Sequence, residues 1–313
     1  MGSIWAKDYL VRDTAQITEV GPRDGLQNEK GAEVSVADKL RFIELLADAG
    51  LGHIEAGAFV NPRAVPQMAG SRELFEQLNV HPELGKSPVV FSALVPNEKG
   101  MQEALACGVK KIAVFTAASE TFNQKNINTS IAGSFERFTP VLKLARDHSV
   151  AVRGYVSTAF VCPYEGEIKS DVAAEVIKQL IDLGIGEISI GDTIGKATPV
   201  MVKRLMEKLL NSFDGKIFWM HFHDMYGPVF ERGTALPNVE SALELGLRQF
   251  DASAGGLGGC PYAPGASGNI STNDLVHYLH TQGYGTGIDL EKLNVAGRFI
   301  QRVLGRKLPS RVL

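Results

Sequence analysis

The chain has 313 residues, 44% hydrophobic and 21% charged, with a formal net charge of -3 and a pI near 6.2. This composition supports a sizeable apolar core and excludes a disordered chain, while the near-neutral charge offers no groove for a polyanion, so nucleic acid is not an expected partner. Three cysteines in no paired spacing, no basic-then-apolar leader and no apolar run near the ~20 residues of a membrane span lead to the expectation of a reduced, cytoplasmic protein without membrane association.

Short β-branched runs alternate with longer amphipathic segments, the pattern of repeated βα units. Strands are predicted at 16–20 (QITEV), 53–59 (HIEAGAF), 88–95 (PVVFSALV), 111–117 (KIAVFTA), 152–158 (VRGYVST), 187–192 (EISIGD), 216–223 (KIFWMHFH) and 249–255 (QFDASAG). Between the first two, SVADKLRFIELLADAGLG reads as a helix. Ser35 caps it with Asp38 three residues on, Leu40, Ile43, Leu46 and Ala47 form one face, and Gly50 ends it. Five further amphipathic segments precede later strands.

Eight such strands point to an α/β fold, a (β/α)8 TIM barrel whose active site lies at the C-terminal ends of the strands. A doubly wound open sheet is the alternative; no G-x-G-x-x-G follows the first strand, and polar residues gather at the ends of several strands, which disfavours it. From about residue 260 onward, TNDLVHYLHTQG and DLEKLNVAGRFIQRVLG are amphipathic and no further strand is expected. The expectation is one domain over 1–313, with the barrel at about 15–260 and a loop and C-terminal helical extension at about 261–313.

Collecting only the strand ends assembles GPRDGLQNE after the first, Glu55 in the second, TAASE after the fourth, Arg153 and Tyr155 on the fifth, Asp192 after the sixth, His221 and His223 on the seventh, and GGLGGC after the eighth. His221 and His223 are two apart, so on a strand both imidazoles share one face. With Asp24 they offer two nitrogens and a carboxylate to a divalent cation, against the plainer reading of hydrogen-bonded core histidines. Arg23-Asp24 reads equally as a surface ion pair, and Asp192 equally as the cap of the next helix. Cys107 and Cys162 read as ordinary core or loop residues. Cys260 stands apart in GGLGGCPYAPGASGN, where glycines allow close approach to a ligand and a thiol can donate a proton or act as a nucleophile.

The motifs EVGPRDGLQNEK, FTAASETFNQKNIN, RGYVSTAFVCPYEG, EISIGDTIG, HFHDMYG and GGLGGCPYAPGASGN, in this order, resemble the 3-hydroxy-3-methylglutaryl-CoA lyase family, metal-dependent enzymes on TIM barrels. The resemblance runs from about residue 15 to 305. It implies Asp24, His221, His223 and Asn269 as ligands of Mg2+ or Mn2+, Arg23 as the cation beside an enolate oxygen, and Cys260 as a proton carrier. It further implies Glu55 and Asp192 as supporting acids, and Lys30, Arg153 and Tyr155 as positions near an acyl-CoA. The implied reaction is carbon–carbon cleavage of 3-hydroxy-3-methylglutaryl-CoA to acetyl-CoA and acetoacetate. Homo-oligomerisation remains open.

Two features depart from the family pattern. Asn273 stands where the family has a Glu four positions beyond the ligand Asn, and a helical turn between them would aim Asn273 at the substrate. The segment at 228–240, after the metal strand, is also longer than usual. These departures keep citramalyl-CoA or a longer branched 3-hydroxyglutaryl-CoA open as substrates; a condensing synthase and a non-catalytic barrel are the competing readings.

Overall fold

The computed structural model describes residues 13–29, 34–225, 233–259 and 266–313, and only the backbone at 266 and 267. Its strands are β1 (Gln16–Glu19), β2 (His53–Ala58), β3 (Val90–Leu94), β4 (Lys111–Ala117), β5 (Ala151–Ser157), β6 (Val161–Cys162), β7 (Gly166–Glu167), β8 (Glu187–Asp192), β9 (Phe218–Met225), β10 (Gln249–Ala252) and β11 (Ala266–Asn269). The helices are α1 (Val36–Asp48), α2 (Ser71–Val80), α3 (Glu98–Ala106), α4 (Glu120–Ile127), α5 (Ile131–Asp147), α6 (Ser170–Asp182), α7 (Pro199–Leu210), α8 (Ala235–Glu244), α9 (Thr272–Thr281) and α10 (Leu290–Leu304).

All eight predicted strands form. They pair in parallel in the order β10-β1-β2-β3-β4-β5-β8-β9, and β10 pairs with β9 through Phe250–Met220 and Asp251–His221, which closes the barrel. Closure leaves no free edge within the barrel, beyond which the end of β9 projects, and strands covered on both faces read as near-continuous apolar runs, as in β4. The helices wrap the outside through their apolar stripes. On α1 the Ser35 hydroxyl accepts the Asp38 N–H at 3.0 Å, as the sequence predicts. Gly50 ends that turn at φ +97, and a side chain there would stand 2.4 Å from the Gly287 carbonyl, so the position admits only glycine.

The structure corrects the region after residue 260. A further strand, β11, runs antiparallel to β9 with Gly268 opposite Asp224 and Asn269 opposite His223. Its sequence, ASGN, contains no β-branched or aromatic residue, so propensity carries no sign of it. It exists because β9 runs on to Met225, two residues past the predicted end, and offers an unpaired edge. The expected helical extension follows as α9 and α10, and α10 lies along α1. Asp274 ties down the chain end, accepting the Ser310 hydroxyl at 2.7 Å and the Arg311 N–H at 3.0 Å. Among the described residues no helix is long and apolar enough to cross a membrane.

Candidate active site

The first functional turn follows β1 directly. GPRDG forms a π-helical turn, Gly21–Gly25, in which the Gly25 N–H donates to the Val20 carbonyl at 3.1 Å. Such wide turns are uncommon and recur at functional sites. This one sets Arg23 and Asp24 at the mouth of the barrel. Gly25 packs so closely on Leu257 that a side chain would stand 2.7 Å from its Cβ. Backbone proximity of this kind couples the first turn to the chain after β10.

On β9, His221 and His223 share one face, and Phe222 between them packs beside Phe160 in the core. Their Nε2 atoms are 3.2 Å apart, and His221 Nε2 is 3.9 Å from Asp24 Oδ2. Among the described residues, Asp24, His221 and His223 are the group whose donor atoms converge, all within 4.8 Å of one another. Asn269 joins them from β11. Its Nδ2 donates to Asp24 Oδ2 at 2.8 Å and to the Leu257 carbonyl at 3.2 Å, while its buried Oδ1 has no partner among the described residues. A buried carbonyl oxygen without a donor is costly unless something electropositive completes it. Two imidazoles, a carboxylate and an amide oxygen suit a divalent cation with open positions. Burial raises Asp24, but Arg23 and the two histidines outweigh it and hold the carboxyl at about 2. Burial pulls His223 down to about 4, so its imidazole is neutral, as a ligand must be.

Arg23 is held from two sides. Its Nε and Nη2 both lie 2.6 Å from Glu55 Oε2, and its Nη1 donates to Asp24 Oδ1 at 2.8 Å. Tyr155 donates its hydroxyl to the same Glu55 oxygen at 3.2 Å, and its ring centroid is 5.3 Å from the guanidinium. Burial lowers the Arg23 pKa, but Glu55 and Asp24 raise it further, so the charge stays. Glu55 is pushed upward by burial against the pull of Arg23. The surface ion-pair reading of Arg23-Asp24 is therefore set aside, because Arg23 is only 6% exposed.

These groups face a cavity of about 710 Å3 whose wall includes Arg23, Asp24, Tyr155, His221, His223 and Gly259. Val60, Leu94, Phe115, Phe122 and Phe138 form an apolar side. Glu55 and Asp192 stand behind the wall. Asp192 is fully buried at the end of β8, with Oδ1 accepting the Lys196 N–H at 3.0 Å and Oδ2 without a partner. It bonds within the following turn but does not cap the next helix, the role the plainer reading expected: α7 is capped by Thr198, whose hydroxyl accepts the Met201 N–H. Burial pushes the Asp192 carboxyl up to about 7.

Other positions fall elsewhere. Arg153, expected near the acyl-CoA, is 2% exposed and is not part of the cavity wall; it pairs with Asp251 and reaches Thr18 inside the barrel. A barrel strand points alternate residues inward at every depth, and Arg153 lies too deep to meet a ligand at the mouth. Asn273 also needs correction. It is not one helical turn from Asn269, because Asn269 ends β11 and α9 begins only after Ser271. Its Oδ1 accepts the Gly255 N–H at 2.8 Å and its Nδ2 donates to Asn294 at 2.7 Å, so it joins three segments and does not reach substrate. Lys30, Cys260 and residues 228–232 of the longer segment lie outside the described residues; Asn28 donates to the carbonyl of Gly259, the residue before Cys260, at 3.0 Å. Cys107 and Cys162 are buried, as expected.

Two carboxylates escaped the sequence reading. Glu19 accepts the N–H groups of Gly21 and Ala254 and the Thr272 hydroxyl, joining the first turn to the segment after β10 and to α9. Asp251 sits against His221. The available signal was a lone acid in each of two otherwise uncharged strand segments, QITEV and QFDAS.

A family model described as HMGL-like matches residues 14–300. The chain is 48% identical over 296 residues to hydroxymethylglutaryl-CoA lyase of Pseudomonas mevalonii, covering 95% of this chain and 94% of that protein. It is 47% identical to the 3-hydroxy-3-isohexenylglutaryl-CoA/hydroxy-methylglutaryl-CoA lyase of Pseudomonas aeruginosa, with 95% of each covered. The crystal structure of hydroxymethylglutaryl-CoA lyase from Pseudomonas aeruginosa superposes with a TM-score of 0.89 at 46% identity, covering 96% of both chains. With the motifs, the closed barrel and these matches in agreement, the chain belongs to the HMGL-like family.

Proposed function

We propose that this protein is a carbon–carbon lyase that cleaves 3-hydroxy-3-methylglutaryl-CoA to acetyl-CoA and acetoacetate. One observation carries the reading: Asp24, His221 and His223 converge in the wall of one cavity beside a buried, charged Arg23, and Asn269, whose Oδ1 has no partner among the described residues, donates to Asp24. The names of the relatives support the substrate.

Asp24, His221, His223 and Asn269 would hold Mg2+ or Mn2+. Such a cation supplies Lewis acidity, lowering the pKa of the substrate's tertiary hydroxyl. Transfer of the hydroxyl proton to solvent would let the alkoxide collapse to a ketone, which breaks the adjacent C–C bond and leaves the electron pair on the thioester as an enolate. Arg23 meets that charge as it develops, and Glu55 with Tyr155 keeps the guanidinium in place so that no reorganisation is needed. Cys260 then delivers a proton to the enolate carbon, releasing acetyl-CoA. Asp192 acts from behind the wall as a supporting acid, poised by burial near neutral pH.

A second substrate reading rests on the apolar side of the cavity, formed by Leu94, Phe115, Phe122 and Phe138. It has the character needed for a longer 3-substituent than methyl, in line with the isohexenyl compound in the name of one relative. Acetyl-CoA release from both thioesters tests the two readings together. Turnover that a chelator abolishes and Mg2+ or Mn2+ restores is the expected result, and the kcat/KM ratio ranks the substrates. No release from either thioester by the ion-loaded protein would reject the lyase reading. Cys260→Ser should lower kcat by about 10²–10⁴-fold with little change in KM.

A further inference from the structure

Beneath the cavity lies a buried polar set that touches one of the proposed metal ligands. Asp251, on β10, is paired in register with His221 across the strands that close the barrel, and it is 1% exposed. Its Oδ2 lies 3.1 Å from His221 Nδ1 and accepts the Ser189 hydroxyl at 2.7 Å, while its Oδ1 accepts Arg153 Nη2. Arg153 Nη1 donates on to Thr18 Oγ1 at 3.0 Å. Paired to a guanidinium, Asp251 is a carboxylate and can only accept hydrogen bonds. The His221 nitrogen that faces it must therefore carry the proton. That leaves Nε2 as the nitrogen that faces Asp24 and His223.

Among the described residues His223 has no equivalent device: its Nδ1 is buried without a partner, and its Nε2 is 3.2 Å from that of His221.

We propose that Asp251 is a positioning residue that keeps a proton on His221 Nδ1 and so turns Nε2 toward the cation site. Arg153 and Ser189 keep Asp251 in place. The closed set from Thr18 to His221 is thus part of the site although it never meets substrate, which gives Arg153 a role other than binding acyl-CoA. This inference rests on the metal reading of Asp24, His221, His223 and Asn269.

The test is nitrogen NMR of histidine-labelled wild-type protein at mildly alkaline pH, without ions and then with Mg2+, alongside titrations that give the dissociation constants of Mg2+ and Mn2+. His221 should be protonated at Nδ1 both without ions and with Mg2+. Asp251→Asn presents an amide N–H to His221 and should invert its tautomer and weaken both ions by about 10–100-fold, as loss of an orienting partner does. Ser189→Ala, which keeps the carboxylate, should hold the tautomer. A His221 proton on Nε2 in the wild type would overturn the proposal whether or not the Asp251 variant folds, and so would unchanged ion affinity in a folded Asp251→Asn. If the wild type bound neither ion, the metal reading would fall, and the ion-free tautomers would still decide the role of Asp251.

Discussion

Two arginines approach the same Tyr155 ring, Arg23 at 5.3 Å and Arg153 at 5.1 Å from its centroid. Each is buried, and each is paired with a carboxylate from another strand, Glu55 for Arg23 and Asp251 for Arg153. In both, burial alone would weaken the charge and the carboxylate restores it. The difference lies in what remains open. Glu55 keeps one oxygen without a partner and Arg23 forms part of the cavity wall, whereas both oxygens of Asp251 are engaged and Arg153 is sealed inside. A buried ion pair is therefore not in itself a mark of catalysis. Access to the cavity separates the pair that meets substrate from the pair that holds the scaffold.

The contrast predicts opposite signatures for the same substitution. Arg23→Met should reduce kcat by about 10²–10³-fold, the usual cost of losing a preorganised charge at the reacting centre. Its effect on thermal stability should be the smaller of the two, because burial already favours the protonated form of Glu55, which can neutralise itself once Arg23 is gone. Arg153→Met should do the reverse at saturating Mg2+, its effect on the site being on ion affinity through Asp251. Arg153 and neighbouring donors hold Asp251 below the ordinary carboxylate range despite burial, so removing Arg153 strands a charge at a cost of about 3–5 kcal/mol, measured by denaturant unfolding. Equal stability losses in the two variants would dissolve the distinction.

Glu19 sharpens the comparison as a buried carboxylate held by neutral donors alone. Burial pushes its carboxyl from an ordinary 4.5 to about 7, although Thr272, Ala254 and Gly21 all donate to it. The folded protein thus holds this proton more tightly than the unfolded chain does. The stability it contributes is full below about pH 4.5, declines as pH rises toward 7, and is lost above that. Glu19→Gln keeps every hydrogen bond, with the amide donating to Thr272. The variant should match the wild type at pH 4 and exceed it at pH 8 by roughly 3 kcal/mol in urea unfolding. A constant difference across that range would show that Glu19 ionises without penalty.

The smallest expected effect tests the reassignment of Asn273. Asn273→Glu sets an acid against the Asn294 oxygen that now accepts its N–H, and should cost about 1–2 kcal/mol of stability while leaving kcat and substrate preference as they were. A changed substrate preference would return Asn273 to the cavity.

Much of this protein is legible from the chain alone. The eight strand segments, the Ser35 cap, the Gly50 terminus and the shared face of His221 and His223 all follow from periodicities and conformational limits that act within a few residues. Motif resemblance then named the family that the comparisons show. Other features could not be read this way. Nothing in ASGN marks a strand, because the edge that orders β11 is supplied by β9, more than forty residues earlier. Arg153 and Asn273 were assigned by position in a motif, but the depth of one in the barrel and the partners of the other depend on segments distant in sequence. Asp251 and Glu19 drew no notice because a carboxylate in a strand has no meaning until closure of the barrel shows what it faces. Local chemistry determines which residues form each element; only packing decides which buried polar groups find partners, and the convergence of Asp24, His221 and His223, with Asn269 bonded to Asp24, marks where a ligand belongs.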